Sequence, residues 1–471
     1  MLSILPLIVL LPFLAVIPIV IAGERHSHSI ALGVSAIAFI LTILALYLSS
    51  ADGMSSLSFS QNYLTGLGIN FSLQLSSLSL ILTLMTAIVF LAAAIVGKYF
   101  VSKDKKLYST IFLLTLGGAM GVFLSGNLFL FYVFWEIAEF AMFFIIFVFG
   151  GYDRRYAAIK FIIYSIIASL LLLIAIMMLY FYTTPHTFGI YQLEQQAHTI
   201  PMAVQPIILV LLLAAFMIKA PIFPFHSWLP DAHTEAPTTG SMVLAGVLLK
   251  FAGYGLLLMF LILPIAAHYA PYIAAIFGFS AIYGAMVALR QTHLKRMIAY
   301  TSIVDMGIIA IGIAATSVLG TAGAIYGMLA HGLAISLLFL LAGTIDKVYG
   351  TLLIEKLRGI AESQPTIAYL FIFGILATIG LPLTAGFIGD LLIFIGAYGT
   401  FGAVGLVPIA AIVVVGGYLF WVTEKSFFNI KNKSETYALL GKSIFVSAGF
   451  LAVATIILGI LPSIMLAISN L

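Results

Sequence analysis

The chain has 471 residues, 63% of them hydrophobic and 8% charged, against about 25% charged in soluble domains; that balance excludes a water-soluble globular protein and marks a membrane protein. Zero cysteines exclude disulfides, thiolate zinc sites and cysteine-ligated iron–sulfur clusters within this chain, so any redox centre belongs to a partner. The net charge of +4 says little by itself, and the placement of the basic residues says more.

Apolar stretches of about 18 residues or more, enough to cross a hydrocarbon core about 30 Å thick, recur along the whole chain. They predict fourteen transmembrane helices, at 2–22, 30–49, 78–97, 108–124, 127–149, 157–182, 206–225, 241–263, 271–289, 297–315, 320–345, 366–395, 403–423 and 443–468. The expected fold is an all-α polytopic membrane protein, one membrane domain over 1–471 in contact with the lipid bilayer. The first stretch lacks a basic n-region and a small-residue cleavage site and contains Pro6, Pro12 and Pro18, so it reads as a permanent helix and not as a signal peptide. Eighteen of the 20 Lys and Arg lie in loops after odd-numbered spans, from Arg25 and Lys98 through Arg154 and Arg290 to Lys431 and Lys442. Cytoplasmic loops retain basic residues, so this alternation supports the count and places both termini outside.

The fifth span, NLFLFYVFWEIAEF, carries Glu136 near mid-depth and Glu139 three residues on, roughly on one helix face. The two remaining basic residues, Lys219 and Lys250, fall inside the seventh and eighth spans. An ammonium at mid-bilayer costs at least about 2.5–3.5 kcal/mol on insertion scales, so such a charge faces protein or water and has a task. Snorkelling fails on reach, because a four-carbon stem does not extend from the midplane to an interface. Asp305 lies in the tenth span, His331 in the eleventh (YGMLAHGLAISLLF) and Asp390 in the twelfth. A lone buried histidine reads as well as a structural hydrogen-bonding group; the other buried ionisable residues shift the reading toward function. These residues are scattered singly without ligand spacing, so neither a metal nor a cofactor is expected in this chain. HSWLPDAH, with His226, Asp231 and His233, reads as a turn or gate at the cytoplasmic end of its span.

Pro221 and Pro224 interrupt the seventh span, and Gly380, Pro382 and Gly386 the twelfth. Irregular backbone at membrane depth survives beside protein or a water-filled cavity, and paired broken helices point to inverted repeats. The expected organisation is helices 1–3 over 1–106, a first repeat of five helices over 107–263, a second over 271–425, and a last helix at 443–468. The broken helix is then fourth in each repeat. Lys219 with Glu136 makes a switchable proton site, because moving a carboxylate changes how tightly a buried lysine holds its proton. Lys250 and His331 extend that relay, and Asp390 serves as an exit.

The segment KAPIFPFHSWLPDAHTEAPTTGSMVLAGVLLKFAGYGLL resembles the signature of the antiporter-like subunits of respiratory complex I (NADH:quinone oxidoreductase), shared with Mrp cation/proton antiporters and membrane-bound hydrogenases. FLFYVFWEIAEF, HLKRMIAYTSI, LAHGLAISLLFLLAG and LPLTAGFIGDLLIF are similar to further family segments, so the likeness runs from about residue 66 to 425. SMVLAGVLLK and the acidic Asp390 are most similar to the chain M type, and the chain ends without the long lateral helix of the chain L type. The resemblance implies fourteen helices, inverted repeats and a proton path at Glu136, Lys219, Lys250, His331 and Asp390. It also implies other membrane subunits and a peripheral electron-transfer arm as partners, an energy-transducing prokaryotic plasma membrane as location, and no nucleic-acid partner. Protons are the expected cargo, with sodium the alternative. Three positions depart from the family pattern: His293 and Ser76, where Asp is common, and Asp305, where His is common. The competing functions are a subunit of a sodium/proton antiporter and a structural scaffold whose buried charges only hold helices together.

Overall fold

The structure, a computed structural model, describes residues 4–52, 57–64, 69–428 and 441–463. Its helices run α1 (Leu5–Leu14), α2 (Val16–Ala22), α3 (Glu24–Asp52), α4 (Ser77–Phe100), α5 (Lys105–Leu124), α6 (Leu128–Phe149), α7 (Arg154–Tyr182), α8 (Ile190–Gln195), α9 (Gln205–Lys219) and α10 (Trp228–Glu235). They continue as α11 (Thr238–Val243), α12 (Leu249–Ile262), α13 (Ile265–Ala288), α14 (Leu294–Ala314), α15 (Val318–Tyr349), α16 (Ile360–Ser363), α17 (Pro365–Thr378), α18 (Ala385–Phe401), α19 (Val407–Thr423) and α20 (Lys442–Ile460). Twelve helical stretches among the described residues are long and apolar enough to cross a membrane, and two shorter apolar helices, α9 and α17, stop at breaks. The expected seventh span is thus cut to α9, and the expected twelfth divides into α17 and α18. The last span, expected to reach 468, is helical to Ile460; residues 464–468, like Lys431 and Lys433, lie outside the described residues.

One element departs from an all-helical reading. Strands β1 (Phe59–Leu64) and β2 (Ile69–Leu73) form an antiparallel hairpin, and Leu73 bridges on to Ser125 at the end of α5. Alternating residues such as INFSL are too few to compete with long apolar runs in a hydropathy reading. Ser76, one of the departures from the family pattern, caps α4: its hydroxyl accepts from the Ser79 amide and the Ser79 hydroxyl accepts from the Ser76 amide.

Helix α15 is the most deeply buried of the long helices, with every residue from Ala322 to Ile345 buried. It packs most extensively on α18, and glycines permit the close approach. A Cβ at Gly389 would stand 2.8 Å from the Gly327 Cα, and one at Gly396 would collide with the backbone of Gly320. Small residues let helix backbones approach in a membrane, where apolar burial gives little drive for association. Gly389→Ala is expected to cost about 1–3 kcal/mol through overpacking, read as earlier melting of the purified protein; unchanged melting would mean that α18 is free to move away from α15.

Candidate ion-relay site

Prolines 221 and 224 end α9 at Lys219, and the broken turn is closed by side chains. The Trp228 indole of α10 donates to the Ile218 carbonyl at 2.8 Å, and the Phe223 amide donates to the Ser280 hydroxyl of α13 at 2.9 Å. These bonds satisfy backbone groups that the break leaves without helical partners. The terminal carbonyls of α9 also favour a cation at its last residue.

Lys219 is 2% exposed, and its Nζ lies 2.5 Å from Glu139 Oε1 and donates to Ser165 Oγ of α7 at 3.1 Å. Rings of Phe161, Trp228 and Trp135 stand 5.0, 5.4 and 6.0 Å from the ammonium, close enough for cation–π attraction. The partner is therefore Glu139, which corrects the expected pairing with Glu136. Glu136 sits one turn earlier on α6, half-buried, within electrostatic reach of Lys219 and beside Tyr132 and Ser169. Sequence spacing puts both carboxylates on one face; only the point where α9 stops decides which of them its last side chain meets.

A second cluster surrounds Lys250, which has no exposed surface. A π-helical turn, Leu244–Leu248, precedes α12, and Lys250 Nζ donates to the Ala245 carbonyl at 2.5 Å. The same nitrogen lies 2.7 Å from His331 Nδ1, and His331 Nε2 stands 3.6 Å from Asp305 Oδ2. Asp390 joins Asp305 and His331 in lining a cavity of about 20 Å³ at the second helix break. Gly380, at φ +74°, makes room for it: a Cβ there would lie 2.8 Å from Asp390 Oδ2.

The expected residues thus form two groups, Glu136, Glu139 and Lys219 in one and Lys250, Asp305, His331 and Asp390 in the other. Among the described residues no hydrogen bond or ion pair joins them; Trp135, next to Glu136, meets Phe216 and Phe251, the residue after Lys250, in tilted ring contacts of 6.2 and 5.6 Å. No three His, Asp or Glu side chains among the described residues converge into a metal-holding group.

HSWLPDAH is mostly helix α10, not a turn, and its Asp231 is a clamp. Asp231 accepts from Lys160 of α7 at 2.7 Å and from Arg296 of α14 at 2.8 Å. The burial of two residues escaped the sequence reading. His233 is fully buried, stacked on Phe339 at 4.4 Å with both ring nitrogens unpartnered, and within electrostatic reach of Lys250 and Lys295. Lys295, assigned to a loop by sequence, is 5% exposed and donates to the Ala236 carbonyl at 3.2 Å. Neither carries a sequence signal beyond its residue type, since each lies near a span boundary. His293, just before α14, is half-buried; burial and then the Lys295 ammonium hold its imidazole below the usual range, so it remains neutral at pH 7.

Glu139→Gln and Glu136→Gln are expected to separate. The first leaves a buried ammonium unpaired and lowers both stability and ion movement; the second spares the pair and lowers ion movement alone. Melting and transport measured side by side check this, and equal melting losses would contradict the assigned partner.

Fold and site together define a multi-pass helical membrane protein with buried, opposed charges at two broken helices. The profile of the NADH:quinone oxidoreductase/Mrp antiporter transmembrane family matches residues 125–419, and the chain belongs to that family. It is 37% identical over 417 residues to NADH-quinone oxidoreductase subunit M of Rickettsia conorii, covering 87% of this chain and 83% of that protein. Respiratory complex I from Thermus thermophilus with bound NADH contains a chain of the same fold, with TM-score 0.90, 25% identity and coverage of 99% and 98%. The Mrp complex from Dietzia sp. has a chain that shares the fold at TM-score 0.88 and 20% identity, with coverage of 99% and 96%. Both of these structural neighbours are multi-subunit assemblies.

Proposed function

We propose that the chain is the proton-translocating, antiporter-like subunit of a complex I-related assembly, moving protons through Glu136, Glu139, Lys219, Lys250, His331, Asp305 and Asp390. The observation that carries this reading is the Lys219–Glu139 contact of 2.5 Å at the end of α9, buried to 2% and 1% side-chain exposure. A purely structural ion pair does not need a helix broken beside it, whereas a switch does: movement of α9 or α10 separates ammonium and carboxylate. An ammonium that loses its counter-charge in an apolar site releases its proton to the next acceptor.

The two breaks, α9/α10 and α17/α18, support a division into inverted five-helix repeats over 107–263 and 271–425. Fourteen crossings follow if each broken helix crosses once, with the basic loops cytoplasmic, both termini outside and a prokaryotic plasma membrane as the setting. Electrons would be handled by a peripheral arm of other chains, without a cofactor in this one. The likeness to subunit M of NADH-quinone oxidoreductase in Rickettsia supports redox-driven proton transport over sodium/proton exchange.

The test is purification with partners and reconstitution into vesicles. Proton movement on addition of an electron donor, without a sodium requirement, is the expected result. Sodium-dependent exchange by an assembly lacking electron-transfer subunits would overturn the reading in favour of an antiporter.

A further inference from the structure

We propose that Asp305 and Asp390 share one proton through a single water held by His331, so that the second half of the chain stores a proton beside Lys250 as the first half does beside Lys219. The inference rests on the proton-transport reading above and adds to it a resting state, in which Asp305 and Asp390 hold one proton between them. It begins from a charge count. Around Asp305 stand Lys250 of α12, His331 of α15, Asp390 of α18 and the Tyr418 hydroxyl of α19, which is bonded to Thr301 one turn back on α14. With both carboxylates ionised and Lys250 charged, the group carries one negative charge too many for a buried site. One monovalent cation must complete it. The first group has the same composition, one ammonium and two carboxylates, Lys219 with Glu136 and Glu139.

Geometry selects a proton over a metal cation. In the charged form taken in this count Lys250 only donates, so His331 Nδ1, 2.7 Å from its Nζ, is assigned as the acceptor and the ring hydrogen is assigned to Nε2. Nε2 is buried, has no hydrogen-bond partner, and belongs to a ring lining the cavity that Asp305, Asp390 and Thr378 also line. A donor pointing into the cavity seeks an oxygen and repels a bare cation. The 3.6 Å from Nε2 to Asp305 Oδ2 is too long for a direct hydrogen bond. The cavity of about 20 Å³ accommodates one water, which needs roughly 10–15 Å³ and two to four polar partners. That water accepts from Nε2 and bridges the carboxyls. In the exchange an O–H bond on one carboxyl breaks as the water takes the proton and passes another of its own to the second carboxylate, so that the water ends unchanged.

Infrared spectroscopy of the purified assembly at equilibrium tests this, reading the carbonyl band of protonated carboxylic acids. Asp305→Asn and Asp390→Asn each remove the surplus negative charge, so each alone is expected to abolish the band that this site contributes. Lys250→Met removes the only ammonium and is expected to double it, which gives an independent readout should an Asn variant fail to assemble. Loss of the band in only one Asn variant, or in neither, overturns the shared proton, as does its loss on titration of the wild type with sodium chloride. The measurement needs no turnover: a band that behaves as expected in an assembly that does not pump would sink the transport reading and leave the shared proton standing.

Discussion

Lys219→Met is expected to cut redox-driven proton pumping by at least about tenfold, equivalent to 1.4 kcal/mol or more on the rate-limiting step, while the assembly still forms. The ammonium is the only group in its cluster that carries a proton as a positive charge, and Met fills its volume without replacing that chemistry. Removing one partner of a buried pair costs about 3–5 kcal/mol when the other is left charged; here Glu139 can take a proton and lessen the loss. The double variant Lys219→Met/Glu139→Leu removes both buried charges and is expected to recover thermal stability without recovering pumping. A scaffold predicts otherwise, with pumping tracking stability through both variants. Proton uptake into vesicles and melting of the same preparations decide between them, and full pumping by either variant would end the case for a relay at α9.

Lys250→Met is expected to have a comparable effect on transport with a larger effect on the site. Lys250 Nζ bonds the Ala245 carbonyl at 2.5 Å and His331 Nδ1 at 2.7 Å, and removing it takes the donor from His331 Nδ1, a nearly fully buried acceptor. An unsatisfied buried group costs about 1–3 kcal/mol. Pumping is expected to fall to about a tenth or less, since a tenfold loss requires only 1.4 kcal/mol and, among the described residues, no other ammonium acts on Asp305. Proton uptake measured with Lys219 intact isolates the second cluster. Wild-type uptake would show that protons cross through the first half alone.

The membrane character, the approximate spans and the burial of Lys219 and Lys250 were legible in the residues because hydropathy and charge cost act locally along the chain. Both helix breaks were legible for the same reason: proline lacks an amide and clashes with the preceding turn wherever it sits. The family was readable from segments such as KAPIFPFHSWLPDAH. The pairings were not. Glu136 and Glu139 share a face of α6, and the choice of Glu139 depends on where the end of α9 falls against α6 and α7, a distance set by packing between residues some 80 apart in sequence. Lys250 and His331 meet in the same way, 81 residues apart.

Burial near span ends also escaped the sequence. Lys295 and His233 sit where hydropathy places a loop, yet both are buried: His233, on α10, stacks on Phe339 of α15, and Lys295 reaches the Ala236 carbonyl at the end of α10. Composition and hydropathy alone dictated a helical membrane protein holding charges that need a reason to be buried, because the cost of a charge in hydrocarbon follows from residue type and depth. Which charges meet, and the water-sized space between Asp305, Asp390 and His331, came only from the tertiary arrangement, because contacts between helices depend on where each helix stops and how closely its glycines let the next one approach.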